Sequence, residues 1–236
     1  MGKSLLQRCY ENSCRSQLIT ELVIATEDDR IVEHAHSFGA SAALTSADCL
    51  TGSDRAAELL APNLKWMQAD AIVNIQGDEP CLSPSAIDAA IQLLLQDADA
   101  VVSTLAVPLK DRLEANNPSI VKCITDQFQN GLYFSRALIP SSKQGIFHPS
   151  FPYLRHVGLY VFRPHFLLTY GKLPPTPLQL EEDLEQLKIL EHGYRIKVAR
   201  CGELPPGVDT PEDIHQLEQW ICKQNTFLSQ GESALL

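Results

Sequence analysis

Short apolar runs alternate with amphipathic stretches through the first half of the chain, and this alternation limits the fold more than any other feature. The apolar runs are typical of strands: LVIAT at 22–26, AALTS at 42–46, AIVNIQ at 71–76 and DAVVSTLAVPL at 99–109. Strands separated by helices at this spacing pair in parallel, and the helices cover both faces of the sheet. We therefore predict an α/β fold with an open, mostly parallel, doubly wound sheet.

The stretches between these runs carry helix start and stop signals. The stretch 28–40 has an acid near its start, Asp28 or Asp29, and Gly39 past its end. The next predicted helix starts at Ser53 and ends at Pro62, and a third starts at Ser83 with a proline in its first turn. Each of the first three strands is thus followed by a helix.

The second half of the chain has a different pattern. Residues 120–136 alternate around Asn130-Gly131, a strong hairpin signal, so antiparallel strands are expected there. A strand is predicted at 156–164, one helix at 177–193, a strand at 194–200, and a last helix capped by Thr210. We expect a single domain over residues 1–224 with a hairpin-bearing insert, and a disordered tail at 225–236.

Composition excludes several classes of protein. The net charge of −10 argues against a nucleic-acid surface. No apolar run approaches the roughly 20 residues of a membrane span, and no signal peptide is recognised, so a cytoplasmic address is expected. The seven cysteines are scattered without a C-x-x-C pair, which favours reduced thiols over a zinc site or disulfides. No G-x-G-x-x-G opens a helix, which argues against a nicotinamide dinucleotide binder.

Two adjacent acids end the third apolar run. In NIQGDEP, Asp78 and Glu79 follow the strand directly, where an open parallel sheet binds its ligands. Asp209 lies at a later loop-to-helix junction. Two carboxylates from distant segments can share a hard cation such as Mg²⁺ together with substrate phosphates. A solvated turn at 77–80 and a helix-capping role for Asp209 explain the same residues equally well.

Six motifs occur in an order and spacing that resemble one family. They are TGSDRAAE, NIQGDEP, LYFSRALIP, RHVGLY, LEQLKIL and GVDTPEDI, and the similarity runs from about Gly2 to Trp220. Together they resemble the 3-deoxy-D-manno-octulosonate (KDO) cytidylyltransferases, or CMP-KDO synthetases. The resemblance implies transfer of CMP from CTP to KDO with release of pyrophosphate, dependence on Mg²⁺, a role in lipopolysaccharide or cell-wall polysaccharide synthesis, and a homodimer.

The resemblance also implies roles for particular residues. Asp78 and Asp209 would hold the metal and act in catalysis, and Arg136 would pair with the KDO carboxylate. The remaining substrate-binding residues would be Gln76, His156, Tyr160, Glu185 and Gln186, with Ser53 and Arg55 at the nucleotide. Structural roles stay open for several of them: a solvated helix arginine at Arg55, a strand histidine satisfied by protein partners at His156, a core tyrosine at Tyr160, and a solvent-facing helix at 185–186.

The front of the chain departs from the family pattern. The family begins with a strand and an R-x-x-S-x-R-x-P-G-K-P loop that holds the triphosphate, whereas Gly2-Lys3 aligns with a Gly-Lys downstream of that loop. Two readings follow: an enzyme whose sequence starts late, or a catalytically inactive sugar-binding homologue. On either reading, we expect the chain as it stands to be poorly stable and to form no CMP-KDO. The T-G-S-D-R motif also differs slightly from the family's T-G-T-E-R, which leaves the nucleotide contact of Asp54 open.

Overall fold

A computed structural model describes residues 2–109, 111–202, 204, 207–208, 213–215 and 217–222. The strands are β1 Ile24–Thr26, β2 Ala42–Leu44, β3 Ile72–Ile75, β4 Val102–Pro108, β5 Lys122–Thr125, β6 Gly131–Ser135, β7 Leu154–Phe162 and β8 Ile196–Arg200. The helices are α1 Leu5–Ser13, α2 Asp29–Ser37, α3 Gly52–Leu60, α4 Pro84–Gln96, α5 Arg112–Asn116, α6 Pro164–Tyr170, α7 Pro177–Glu182 and α8 Glu185–Glu191. The order of elements confirms the predicted α/β class.

Strand β7 organises the larger sheet. It pairs antiparallel with β4 along one edge, and with β3 and β5 along the other. Strand β8 adds parallel to β4, and β6 adds antiparallel to β5. Strands β1 and β2 form a separate parallel pair. Strands β3, β4 and β8 therefore run in one direction, but β3 and β4 are not neighbours, because β7 lies antiparallel between them.

Helix caps follow the sequence signals with one exception. The Asp28 side chain caps α2, Gly39 follows that helix at a φ of +82°, and the Ser83 side chain caps α4. Helix α3, however, is capped by Thr51, whose side chain and that of Asp54 form a reciprocal capping box. The prediction that Ser53 opens this helix is wrong, because Thr51 already supplies the capping hydroxyl.

The single helix predicted at 177–193 is wrong. The chain forms α7 and α8, separated by Asp183 in the left-handed region at a φ of +50° and by the extended Leu184. Leu184 is buried in the core, and a continuous helix through this position would orient its side chain differently. The break puts Glu185 and Gln186 in the first turn of α8. Gly193 follows α8 at a φ of +80°, as predicted.

The hairpin around Asn130-Gly131 is confirmed, with a longer loop than the dipeptide suggests. Strands β5 and β6 pair antiparallel across residues 126–130. The residue with a positive φ is Gln129, at 64°. The Asp126 carboxylate accepts hydrogen bonds from the Phe128 and Asn130 amides, each at 2.8 Å, and so closes the loop.

Helices cover both faces of the larger sheet. On one face α3, α6 and α8 pack against aromatic residues of β6 and β7, and on the other α4 packs against β4 and β7. Within the described part of the chain, no helix has the length and apolar character needed to cross a membrane. The predicted cap Thr210 and the tail 225–236 lie outside the described residues.

Candidate functional site

A cavity of about 1500 Å³ lies at the carboxyl ends of the strands and extends between β1 and β3. Eight of the residues predicted for the site line it: Arg55, Gln76, Asp78, Arg136, His156, Tyr160, Glu185 and Gln186. Ser53 is fully buried behind this surface, and Asp209 lies outside the described residues. The structure therefore brings most of the predicted site residues together.

The acidic turn after β3 is held by backbone hydrogen bonds. The Glu79 amide donates to the Gln76 carbonyl at 3.2 Å, and the Val208 amide donates to the Asp78 carbonyl at 2.9 Å. The Glu79 carboxylate accepts from the Gly158 amide at 3.3 Å. The chain segment that leads into position 209 therefore lies against Asp78.

Gly158 is needed where β7 passes this turn. A Cβ atom at this position would lie 3.1 Å from the Gln76 side-chain oxygen, a close contact that would force the Gln76 side chain to shift. The Gln76 side chain crosses the space that the glycine leaves open and donates to Glu185 Oε1 at 3.4 Å. The glycine of the RHVGLY motif thus lets β3 and α8 meet at the site.

A polar cluster from three elements forms one wall of the cavity. The Tyr160 hydroxyl of β7 donates to Gln186 Oε1 at 2.8 Å, and the Tyr170 hydroxyl donates to Glu185 Oε2 at 3.4 Å. Gln186 is 1% exposed, and its side-chain Nε2 has no hydrogen-bond partner among the described residues. A buried amide donor without a protein partner at a cavity wall is suited to bind a ligand oxygen.

Burial controls the charge of this wall. It raises the pKa of the Glu185 carboxyl, although hydroxyl donors including those of Ser53 and Thr51 oppose the shift. The Lys188 ammonium lies 3.7 Å from the Tyr170 ring centroid and 3.9 Å from Asp54 Oδ1. The wall is thus a hydrogen-bonding surface with one buried cation beside it.

His156 is buried and electrically neutral. Burial, with a smaller effect of the neighbouring Arg155, lowers the pKa of its imidazole to about 3. Its Nε2 lies 2.8 Å from the Thr104 hydroxyl, which itself donates to the Leu159 carbonyl at 2.6 Å. Because that hydroxyl has one hydrogen, it accepts from His156, so Nε2 carries the imidazole proton and Nδ1 is an acceptor.

Arg136 is held by backbone carbonyl groups. Its guanidinium donates to the carbonyl oxygens of Glu182 at 2.7 Å, Pro118 at 3.1 Å and Asp183 at 3.1 Å. The Glu182 carboxylate in turn accepts from the Arg136 amide at 2.8 Å and from the Ser135 hydroxyl at 2.7 Å. Three of the five guanidinium N–H groups are thereby used, which leaves two for a ligand.

The residues predicted at the nucleotide already have protein partners. Arg55 forms an ion pair with Glu27 at 2.5 Å and donates to the Thr45 hydroxyl, so it ties the ends of β1 and β2 to α3. The Ser53 hydroxyl accepts from Asn74 Nδ2 at 3.2 Å. These contacts describe a supporting role, and contact of either residue with a nucleotide stays a prediction.

Some residues of the site were not predicted from the sequence. Asn74 is one of them, and its signal was a polar side chain inside an apolar run. Tyr170 belongs to no motif and carried no signal, and Lys188 lies in the LEQLKIL motif but was assigned no role, because the positions of both side chains depend on how α6 and α8 pack. Thr51 was missed because the first turn of α3 was placed too far along the chain.

Comparisons with known proteins find chains that are similar in sequence and in fold. A protein of Protochlamydia amoebophila called 3-deoxy-manno-octulosonate cytidylyltransferase is 60% identical over 228 residues, covering 97% of this chain and 88% of that protein. A protein of the same name from Zea mays is 44% identical, covering 95% and 74%. A solved structure of CMP:2-keto-3-deoxy-manno-octonic acid synthetase complexed with CTP matches with a TM-score of 0.85 and 32% identity, covering 95% of this chain and 90% of that one.

The mixed sheet, with its site at the strand ends, has the Rossmann-like fold of the nucleotidyltransferases. The cytidylyltransferase family matches residues 1–196. The chain belongs to the cytidylyltransferase family.

Proposed function

We propose that this chain transfers CMP from CTP to KDO, forming CMP-KDO and pyrophosphate for the synthesis of lipopolysaccharide or another cell-surface polysaccharide. The names of its relatives support this substrate pair. The observation that carries the proposal is the polar wall of the cavity, where Gln76, Glu185 and Gln186 converge with Tyr160. Such a wall offers hydrogen bonds to a polyhydroxylated sugar.

The reaction requires positions for two anionic substrates. A KDO hydroxyl oxygen forms a bond to the α-phosphorus of CTP, the bond from that phosphorus to the bridging oxygen breaks, and pyrophosphate leaves while the hydroxyl loses its proton. Charge must be neutralised on the transferred phosphoryl group and on the leaving group. Bound Mg²⁺ supplies this neutralisation in reactions of this class.

The carboxylate oxygens at the acidic turn are suitable ligands for Mg²⁺. Asp78 lies on the cavity, and Val208 holds the position before Asp209 against it, so we propose these two aspartates as the protein ligands. Among the described residues, no group of three or more histidine, cysteine, aspartate or glutamate side chains could hold a metal. A pair of carboxylates suits Mg²⁺, which keeps waters and binds substrate phosphates.

We propose that Arg136 recognises the KDO carboxylate. Its two remaining N–H groups are on the two terminal nitrogens, a spacing that matches the two oxygens of a carboxylate. The backbone carbonyls of Glu182 and Asp183 fix the guanidinium plane before any ligand arrives. His156, neutral and with Nδ1 as an acceptor, suits a sugar hydroxyl better than a charged group.

We further propose a homodimer that acts in the cytoplasm. The β5–β6 hairpin exposes two large apolar side chains, Phe128 at 75% and Leu132 at 57%, which supports an interface there. All seven cysteines are free thiols, which suits a reducing compartment. Sedimentation of the chain and of Leu132→Glu tests the interface: the variant is expected to be monomeric, and an unchanged dimer would place the interface elsewhere.

Pyrophosphate release from CTP in the presence of KDO and Mg²⁺ tests the activity. UTP in place of CTP and N-acetylneuraminate in place of KDO are the controls, and both are expected to support much less turnover. The assay is run on the chain and on a form preceded by a strand and an R-x-x-S-x-R-x-P-G-K-P loop of the family's pattern. Absence of KDO-dependent release from CTP in both forms, with both folded, would contradict the proposed function.

A further inference from the structure

Lys122 is a charged side chain inside the larger sheet. It lies on β5, where it pairs with Ser135 of β6 on one side and with Arg155 of β7 on the other, and it is 0% exposed. Burial lowers the pKa of its ammonium, although the charge of Glu182 opposes the shift. Because a buried ammonium is costly, its presence here indicates that it holds something in place.

The Lys122 ammonium binds backbone carbonyl groups. It donates to the carbonyl oxygens of Asn117 at 3.0 Å and Ile120 at 2.7 Å, and to that of Arg136. An ammonium has three N–H donors, so all of them are used within the protein. The side chain therefore joins three backbone positions to one another and has no donor left for a ligand.

Two of these carbonyls belong to the loop between α5 and β5. We call residues 117–121 the clamp loop. The Ile120 amide donates to the Asn117 carbonyl at 3.1 Å, and the Val121 carbonyl accepts from the amide of His156 at 2.8 Å. Most of the loop lines the cavity: Asn117, Ser119, Ile120 and Val121. The Lys122 ammonium thus fixes, from inside the sheet, a loop that forms part of the cavity wall.

Arg136 is linked to Lys122 by two routes. Its own carbonyl accepts from the Lys122 ammonium, and its guanidinium donates to the Pro118 carbonyl at 3.1 Å. Pro118 lies in the clamp loop between the two carbonyls that Lys122 binds. The contacts therefore form a closed ring, and the guanidinium cannot turn away from Pro118 without losing a hydrogen bond of this ring.

The other anchors of Arg136 come from the segment between α7 and α8. The Glu182 and Asp183 carbonyls accept from the guanidinium, and the Glu182 carboxylate accepts from the Arg136 amide. These contacts hold the guanidinium from one side, and the clamp loop holds it from another. Without the ammonium of Lys122, the second support would depend on a surface loop alone.

We infer that Lys122 is a positioning residue, which ties the clamp loop to the backbone of Arg136 and so fixes the direction in which the Arg136 guanidinium faces the cavity. Its effect on KDO binding rests on the proposed function, in which Arg136 binds the KDO carboxylate. The coupling of Lys122 to Arg136 does not rest on it. Lys122 acts through Arg136, since a side chain that is 0% exposed touches no ligand.

The arrangement favours lysine over arginine. Three carbonyl oxygens converge on the single nitrogen of Lys122. A guanidinium is planar and spreads its donors over a wider fork, so it cannot replace an ammonium at one convergent point. The same charge in a different shape should therefore fail to hold the clamp loop in its present position.

The test compares the unsubstituted chain with Lys122→Met, which keeps the length of the side chain and removes its donors. The matched control is Lys197→Met. Lys197 is also buried and donates to a backbone carbonyl, that of Phe128 at 2.8 Å, and it pairs with Asp97 at 2.9 Å, but it contacts neither Arg136 nor the clamp loop. Solvent exchange of the Arg136 Nε–H group is measured by NMR, KDO affinity by calorimetry, and Tm by thermal melts.

Both methionine variants are expected to lower Tm. Only Lys122→Met is expected to speed exchange of the Arg136 Nε–H group, by about tenfold or more, and to raise Kd for KDO by about fivefold or more. Unchanged exchange in Lys122→Met would overturn the inference. Equally fast exchange in Lys197→Met would also overturn it, because general loosening of the fold would then explain the effect.

Lys122→Arg keeps the inference testable where Lys122→Met does not fold. It retains the charge and hydrogen-bond donors, and it is expected to speed the Nε–H exchange by about threefold or more because its donors spread over a planar fork. Exchange equal to that of the unsubstituted chain would overturn the inference. If the unsubstituted chain binds no KDO, the proposed role of Arg136 fails, whereas the exchange measurement still decides whether Lys122 positions Arg136.

Discussion

The Val208 amide donates a hydrogen bond to the Asp78 carbonyl over 2.9 Å. This contact links the turn after β3 to a segment 130 positions later in the chain. It fixes the backbone of the acidic turn relative to the loop that leads to Asp209. Two parts of the fold thus set the position of the Asp78 carboxylate. A substitution at Asp78 can therefore test the role of this carboxylate directly.

In a form preceded by a strand and an R-x-x-S-x-R-x-P-G-K-P loop of the family's pattern, Asp78→Asn is expected to lower kcat for CMP-KDO formation about a hundredfold or more, because an amide cannot supply the negative charge that Mg²⁺ requires. The backbone contact with Val208 remains, so the thermal melt should change little. Asp48→Asn, at an exposed position, is the control. Activity of Asp78→Asn that keeps its full Mg²⁺ dependence would remove Asp78 from the metal site.

Arg136→Lys is expected to raise KM for KDO about tenfold or more and to change KM for CTP much less. Lysine keeps the charge but loses the fixed two-pronged geometry and two of the three hydrogen bonds to the carbonyls of Glu182, Pro118 and Asp183. Steady-state kinetics with each substrate varied in turn measure the difference. Equal losses for both substrates would assign Arg136 a purely structural role.

The ring of His156 is expected to stay neutral from pH 8 down to about pH 4, because burial lowers its pKa to about 3. Between the unfolded value near 6.5 and this folded value, only the unfolded chain binds the proton, so the stability that His156 contributes is lost as the pH falls through that window. The NMR chemical shifts of the ring nitrogens, measured across this pH range, test whether the imidazole stays neutral. A titration of His156 near pH 6.5 would contradict the assignment.

Protonation of the Glu182 carboxylate in acid is expected to destabilise the region around Arg136. Burial alone would raise the pKa of its carboxyl, but hydrogen bonds from the Arg136 amide and the Ser135 and Tyr133 hydroxyls outweigh burial and lower it. A lowered folded pKa stabilises the fold above the unfolded pKa, and this contribution is lost as the pH falls through the folded value. Melts of the chain and of Glu182→Gln from pH 7 to pH 3 should therefore converge in acid, and a constant gap would show that the charge is unimportant.

The break between α7 and α8 can be tested at Asp183. Its φ of +50° favours glycine, so Asp183→Gly should leave stability nearly unchanged. Asp183→Val should lose about 1–2 kcal/mol of the free energy of unfolding and raise KM for KDO, because Glu185 and Gln186 follow the break. Chemical denaturation and kinetics of both variants measure this. Equal behaviour of the two would mean that the left-handed conformation is not required.

The sequence located the strands and most residues of the candidate site because both are local signals. Asp78 follows an apolar run directly, and Ser83 and Pro84 mark the start of α4. It did not locate the break at Asp183, because the local composition favours a continuous helix and only the burial of Leu184 in the core opposes it. Nor did it place β7 between β3 and β4, since a strand's pairing partners depend on the whole fold.

The contacts that support the site residues could not be predicted from local sequence patterns either. Arg55 looked like a nucleotide ligand or a solvated helix residue, and its ion pair with Glu27 depends on α3 packing across the end of β1. Tyr170 reaches Glu185 because α6 and α8 pack together, and nothing near Tyr170 in the sequence marks that contact. Such long-range neighbours form only when the layers of the fold assemble.

The Cys9 thiol lies at the cavity, 3.6 Å from the Gln76 carbonyl. Burial, together with the nearby charges of Glu79 and Asp78, raises its pKa to about 12. Because the thiolate is the species that reacts with alkylating agents and peroxide, this cysteine is chemically inert at neutral pH despite its place at the site. Reagents such as iodoacetamide should instead modify the exposed Cys14 and Cys222, and the protein should keep its cavity unmodified under mild oxidative stress.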